Sequence, residues 1–207
     1  MTLLTIAQGL AKDVGLAVPD QVVGSSNRSM IEVLSFANAV GEELARRVDW
    51  MQLSKSATLT GTGAQIAHAM PGSFSRLVPG VAVTGSGGEI VRPLSRAEWG
   101  TLTPVEGVPR YFLLQNDTLT LWPYLAAGDT VTVWYQSRYW GYVNPALIGS
   151  GDSFGSDADT PLIDEGLFLK ALIVRWRRQK GMEYADQEAE YEAALSDLAR
   201  FNDRSRI

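Results

Sequence analysis

Apolar residues recur every three or four positions near both ends of the chain and every second position in the middle. In residues 5–18, Ile6, Leu10 and Val14 keep helical spacing until Pro19-Asp20 stops it. From Ser29 a longer helix is predicted, with Met30, Val33, Leu34, Ala37, Val40, Gly41 and Leu44 on one stripe. Ser29 and Glu32 have the spacing of a capping box at its start. Residues 162–180 return to that period through Ile163, Leu167, Phe168, Ala171, Leu172 and Trp176. Thr160 reads as the cap of that helix and Pro161 as its first residue, with Asp164 and Glu165 near the positive end of the dipole. Gly181 breaks the pattern, and a last helix over 182–202 places Tyr184, Tyr191, Leu195, Leu198 and Phe201 on one face.

Between these helices the period changes. Residues 54–69 are rich in Thr, Ser and Ala, and Gly61-Thr62-Gly63 between two short extended runs predicts a hairpin. Residues 110–114 and 118–122 flank Asn116-Asp117, two residues that tolerate positive φ, and predict a second hairpin. Residues 129–138 alternate Val131, Val133 and Tyr135 with Thr130, Thr132 and Trp134 as a third strand. Ser95 and Glu98 cap one or two helical turns over 95–102. No helix can bury its stripe alone, so the first two must pack on the last two. The expected class is α+β: a discontinuous antiparallel helical bundle from residues 1–54 and 161–207, an inserted antiparallel β-rich module over 55–142, and an acidic Gly/Ser/Asp-rich loop over 143–160.

Composition narrows the functions. With 207 residues, 45% hydrophobic and 20% charged, the chain has the make-up of a folded globular protein. Its 18 basic and 23 acidic residues leave a net charge of −5, which disfavours binding to phosphate backbones and anionic lipid. There is no cysteine, hence no disulfide framework, thiolate nucleophile or sulfur-ligated metal. No apolar run reaches the ~20 residues of a spanning helix. The first 18 residues lack a basic leader, so a cytoplasmic product is the expectation.

Candidate chemistry is sparse. The single histidine, His68, lies in a predicted strand with no G-x-S-x-G serine to activate, and reads as a structural residue. Glu89, Glu98 and Glu106 show no spacing that pairs an acid with a base. The glycine runs at 61–63 and 85–88 lack the Lys-Ser/Thr and helix of a phosphate cradle. Asp152, Asp157, Asp159, Asp164 and Glu165 offer hard oxygen ligands without EF-hand order. No catalytic residue, cofactor or metal is expected. Two surfaces stand out instead. One is a basic helix with Lys170, Arg175, Arg177, Arg178 and Lys180, followed by a helix rich in acid. The other is an aromatic-rich stretch with Trp122, Tyr124, Trp134, Tyr135, Tyr139 and Trp140. The first reads either as a solvated face paired with the acidic helix or as an intersubunit or docking contact. The second reads as the core of the β module or as a partner-facing patch.

The order of short motifs carries a resemblance. Arg47-Val48-Asp49-Trp50-Met51-Gln52-Leu53 is followed by Met70-Pro71-Gly72-Ser73-Phe74-Ser75-Arg76-Leu77, then Pro93 and Trp99. Leu119-Thr120-Leu121-Trp122-Pro123, the run from Gly128 to Tyr135, Leu162-Ile163-Asp164-Glu165, Val174-Arg175-Trp176-Arg177, Lys180-Gly181 and Tyr184-Ala185 come next. This order resembles the head-to-tail adaptor (connector) proteins of short-tailed phages, the group similar to tail tubular protein A. The resemblance implies a virion structural protein with no enzymatic activity, made in the host cytoplasm and placed at the head-tail interface. It implies self-association into a ring, with about twelve copies, beneath a portal protein and above a tail nozzle protein. Genomic DNA would pass through an acidic conduit without specific binding during ejection, and no membrane is involved. The portal-side or intersubunit residues it implies are Lys170, Arg175, Arg177, Arg178, Lys180, Arg204 and Arg206. The tail-side or intersubunit aromatic face it implies comprises Trp122, Tyr124, Trp134, Tyr139 and Trp140. Two other readings remain beside it: a tail-associated carbohydrate- or receptor-binding module, and a tail-associated hydrolase using Glu98 or Glu106.

Overall fold

A computed structural model describes residues 1–142 and 151–204, with the side chains of Tyr142, Asp203 and Arg204 excepted. In chain order the elements are α1 (Leu3–Val14), α2 (Arg28–Arg47), a 3-10 turn (Met51–Leu53), β1 (Ser54–Thr60), β2 (Ala67–Ala69), β3 (Phe74–Leu77), β4 (Val83–Gly85), β5 (Arg92–Pro93) and α3 (Arg96–Trp99). They continue with β6 (Tyr111–Gln115), β7 (Thr118–Trp122), β8 (Thr130–Ser137), β9 (Gly141–Tyr142), β10 (Thr160–Pro161), α4 (Glu165–Gln179) and α5 (Ala185–Arg204). The fold class is α+β. The chain divides into two compact units, Met1–Leu53 with the chain from Arg138 onward, and Ser54–Ser137.

In the helical unit, α4 makes its main contacts with α1, α2 and α5. Its stripe of Leu167, Phe168, Ala171, Leu172, Val174 and Trp176 is buried among Leu3, Ile6, Leu10, Val33, Ala37 and Leu44. Each helix end has a local cause, and several differ from the sequence expectation. α1 stops at Val14 because Gly15 turns left-handed at φ 74, ahead of Pro19. α2 is capped by Asn27, whose side chain accepts from the Ser29 N–H, so the Ser29/Glu32 box does not form and Glu32 pairs with Arg28 and Lys180 instead. Thr160 and Pro161 form strand β10 against β9, and Asp164 caps α4 by accepting from the Leu167 N–H at 2.8 Å. Gly181, at φ 66, separates α4 from α5 as expected. On α5, Tyr191 and Leu195 are buried, whereas Phe201, expected on the same inward face, is 69% exposed.

The β unit holds two sheets over one apolar core. The first has β8 at its centre, with β1 on one side and β3 and β4 on the other; the second runs β2-β7-β6-β5. Val83, Val131, Val133 and Tyr135 from the first sheet meet Phe112, Leu119 and Leu121 from the second. The β6–β7 hairpin forms as expected, with Asn116 and Asp117 at φ 48 and 56 as the twist of a two-residue connection requires. The Ser95/Glu98 capping box is also present. The hairpin expected around Gly61 does not form. β1 pairs with β8 over seven residues and β2 pairs with β7, so residues 61–66 cross between sheets. Gly61 is needed there for close approach: a Cβ would lie 2.3 Å from the Ala126 carbonyl oxygen.

Candidate functional site

The residues considered for catalysis are occupied by structure. His68 is buried in β2, its Nε2 has no hydrogen-bond partner among the described residues, and burial pushes its pKa below the ordinary imidazole value. Glu98 accepts from the Ser95 hydroxyl at 2.6 Å and from the Ser95 N–H, and those bonds hold its carboxyl below the usual range. Glu89 accepts from the Gly87 N–H across a turn. Among the described residues no hydrogen bond joins Glu89, Glu98 or Glu106 to one another, and none joins them to His68.

Residues 143–150 of the acidic loop lie outside the described residues; from Gly151 onward it serves the backbone of the helical unit. The Asp157 carboxylate accepts from the N–H groups of Val22 and Val23, and the Asp159 carboxylate from those of Gly155 and Ser156 at 2.7 and 2.8 Å. The main-chain carbonyls of the same two residues accept from Leu4 and Leu3, satisfying two free N–H groups in the first turn of α1. Oxygens so engaged are poor candidates for calcium. Among the described residues no group of three or more His, Cys, Asp or Glu could hold a metal ion. Nor, among them, is any helix long and apolar enough to cross a membrane.

The basic helix α4 carries four cations and its C-cap, Lys180, a fifth, each paired with an acid on another element. Lys170 binds Glu190 of α5 at 2.8 Å, and Arg177 binds Asp13 of α1 at the same distance. Arg175 lies 3.6 Å from Glu43 of α2, Arg178 binds Glu188 of α5, and Lys180 binds Glu32 of α2. The Lys180 ammonium, with Arg28, holds the Glu32 carboxyl below its usual range. Beside them, Arg47 makes a two-pronged bond to Glu192 and a third to the Tyr191 hydroxyl, and these raise its pKa. Arg47, Arg175 and Arg178 alternate with Glu43, Glu188 and Glu192 around a depression of about 410 Å³. The sequence brought α4 and α5 together; the acids contributed by α1 and α2 lie too far away in the chain for spacing to reveal them. The side chain of Arg204 and all of Arg206 lie outside the described residues.

The five aromatic residues are divided between the two units. Trp122 stacks on Tyr111 at 6.0 Å and its indole N–H donates to the Thr103 carbonyl, within the second sheet. Tyr124 follows it, half-buried, bridged to Glu106. Trp134 belongs to the first sheet and is 43% exposed. Tyr139 and Trp140 belong to the other unit, and Trp140 corrects the expectation outright: it is 1% exposed, packed between Phe154 and Phe168 at 4.9 and 5.9 Å. A side chain so enclosed is core, not contact surface.

One surface was not anticipated. An open groove of about 940 Å³ in the helical unit is lined by Trp50, Met51, Leu162, Ile163, Leu198 and Phe201 among others. Phe201 and Met51 are exposed at its rim. The only signal in the sequence was an aromatic residue near the end of the last amphipathic helix.

Compared with known proteins, the chain matches one family model, described as SU10 adaptor protein, over residues 1–207. The narrower likeness to tail tubular protein A is not part of that match. No curated protein matches the chain.

Proposed function

The chain belongs to the SU10 adaptor protein family, a family of phage adaptors, and on that premise we propose that it joins the portal to the tail as a ring through which DNA leaves the head. Ring formation, docking beneath the portal, attachment of the tail nozzle and lining of the DNA conduit are this reading's own steps. The observation that carries it is the match of the whole chain to an adaptor family. The net charge of −5 per copy agrees with it, since phosphate backbones are held by cations and an acidic wall lets DNA pass.

Docking on the portal side would use the cations of α4 and its C-cap, Lys170, Arg175, Arg177, Arg178 and Lys180. Because each already has an internal partner, docking there exchanges one carboxylate for another. Such an exchange contributes register and orientation more than affinity. The experiment is to mix the purified chain with the portal protein of the same phage and weigh the product by native mass spectrometry. A portal ring carrying about twelve copies is the expected product. No association at low or moderate salt would overturn the reading, and binding to a glycan array would then favour a receptor-contact role.

A further inference from the structure

One cation of α4 differs from its neighbours. Lys170, Arg177 and Arg178, and Lys180 at the C-cap, each donate a hydrogen bond to an acid, and Arg47 of α2 donates to Glu192 and to the Tyr191 hydroxyl. Arg175 does not. Its ion-pair partner, Glu43 of α2, is 3.6 Å away, beyond hydrogen-bond length, and Glu43 also faces Arg47 at 3.8 Å. Among the described residues the Arg175 guanidinium, a group with five N–H donors, makes no hydrogen bond. Gln179 lies one turn further along the same face of α4, exposed, and among the described residues its side-chain amide makes none either. Both side chains line the depression of about 410 Å³ to which α2, α4 and α5 contribute. The apolar part of that lining is Val40, Ala171 and Val174, all buried.

Unused donors beside an apolar lining define what fits. A guanidinium presents parallel N–H groups that match the two oxygens of a carboxylate, and the Gln179 amide adds a further donor. Phe36 of α2 supports the fork from one side, its ring centroid 6.0 Å from the guanidinium carbon. The methylenes of an acidic side chain would cover Val40, Ala171 and Val174. A phosphate suits the depression less, because Glu43, Glu188 and Glu192 also line it and repel a group of nearly two negative charges more than a carboxylate of one. Little is given up when a carboxylate enters. Arg47 and Arg178 keep their hydrogen bonds to Glu192 and Glu188, Arg175 has none to lose, and a displaced Glu43 retains Arg47.

We propose that this depression receives an acidic side chain of a partner protein, whose carboxylate bonds the Arg175 guanidinium and the Gln179 amide while its stem covers the apolar lining. The inference rests on the docking reading above, in which the partner is the portal protein, and names the contact by which α4 recognises it.

Two pairs of variants with equal changes of charge test it. Arg175→Ala is set against Arg46→Ala, and Glu43→Gln against Glu42→Gln, because Arg46 and Glu42 pair with each other on α2 and do not line this depression. The full chain and each variant are titrated with the portal protein of the same phage, after circular dichroism confirms folding. Arg175→Ala should bind at least about tenfold more weakly than wild type, and Arg46→Ala should bind as wild type does. Glu43→Gln removes the internal competitor for Arg175 and should bind more tightly than Glu42→Gln. Gln179→Ala breaks no side-chain bond among the described residues and should also weaken binding, which keeps the test decisive should Arg175→Ala unfold. If wild type binds and both Arg175→Ala and Gln179→Ala bind equally well, or if Arg46→Ala loses as much as Arg175→Ala, the carboxylate site falls and the docking reading stands. If wild type does not bind the portal, both fall.

Discussion

Gly41 of α2 leaves the space that Trp140 fills. A Cβ at Gly41 would lie 2.4 Å from three atoms of the six-membered ring of Trp140. Glycine within a helix costs roughly 1 kcal/mol of propensity relative to alanine, so at an ordinary site Gly41→Ala would stabilise the protein. Here it should destabilise instead, by about 1–3 kcal/mol, because helix backbone and indole cannot both keep their places. Chemical denaturation of the two forms reads the sign. Trp140→Phe removes the clashing atoms, and the indole nitrogen it discards has no hydrogen-bond partner among the described residues. The double variant should therefore be more stable than the sum of the single changes predicts, with a coupling on the order of 0.5–3 kcal/mol.

Asp159 is 2% exposed and holds the N–H groups of Gly155 and Ser156, while its carbonyl holds Leu3 at the start of α1. Asp159→Ala leaves those two donors without their acceptor and should cost about 1–3 kcal/mol. Asp152, on an exposed side chain 4.0 Å from Arg138, should cost little when replaced by Ala. Thermal melts of both variants, with and without added calcium, check the assignment: a calcium-dependent rise in melting temperature would contradict a purely structural role for the loop.

What could be read from the sequence was local. The β6–β7 hairpin is specified by Asn116-Asp117 between two alternating runs, and both residues adopt positive φ as their side chains allow. The α2 and α4 stripes were visible because period alone identifies a buried face. The failures share a cause, competition from distant residues. Gly61 looked like a hairpin turn until β8 supplied β1 with a seven-residue match. Thr160-Pro161 looked like a helix start, but β9 takes them as a strand and Asp164 caps α4 instead. Trp140 follows a strand-rich stretch and was grouped with it, although its partners Gly41, Phe154 and Phe168 all lie in the helical unit. For the candidate surfaces, the cations of α4 were legible as a cluster, and their acids on α1 and α2 were not.

Those pairings change how docking by α4 is tested. Replacing Arg175, Arg177 and Arg178 together by Glu would set new carboxylates against Glu43, Asp13 and Glu188, so the helical unit itself should lose stability. Exchanging the members of an exposed pair avoids this. Arg178→Glu combined with Glu188→Arg should stay within about 1 kcal/mol of the parent in denaturation. Its binding to the portal protein should weaken if Arg178 faces the portal, with a reduced dependence on salt. Unchanged binding and unchanged salt dependence would remove Arg178 from the docking face.

His68 gives the fold a pH dependence of known sign. Burial lowers its pKa in the folded protein, while in the unfolded chain it titrates near its ordinary value of about 6.5. As pH falls below that value the unfolded chain takes up a proton that the folded chain refuses, so stability is full above about pH 6.5 and declines as acid approaches the folded pKa. Among the described residues Nε2 has no partner, so no hydrogen bond from that nitrogen is lost when the ring is replaced by an apolar group of similar size. His68→Leu should therefore match or exceed the parent at pH 7.5 and lose less stability between pH 6.5 and pH 5.5. Urea denaturation of parent and variant at the two ends of that window isolates the histidine from the carboxylates, which act in both proteins alike. Equal slopes would mean that His68 gains a proton partner on acidification, and its neutral burial would no longer account for the site.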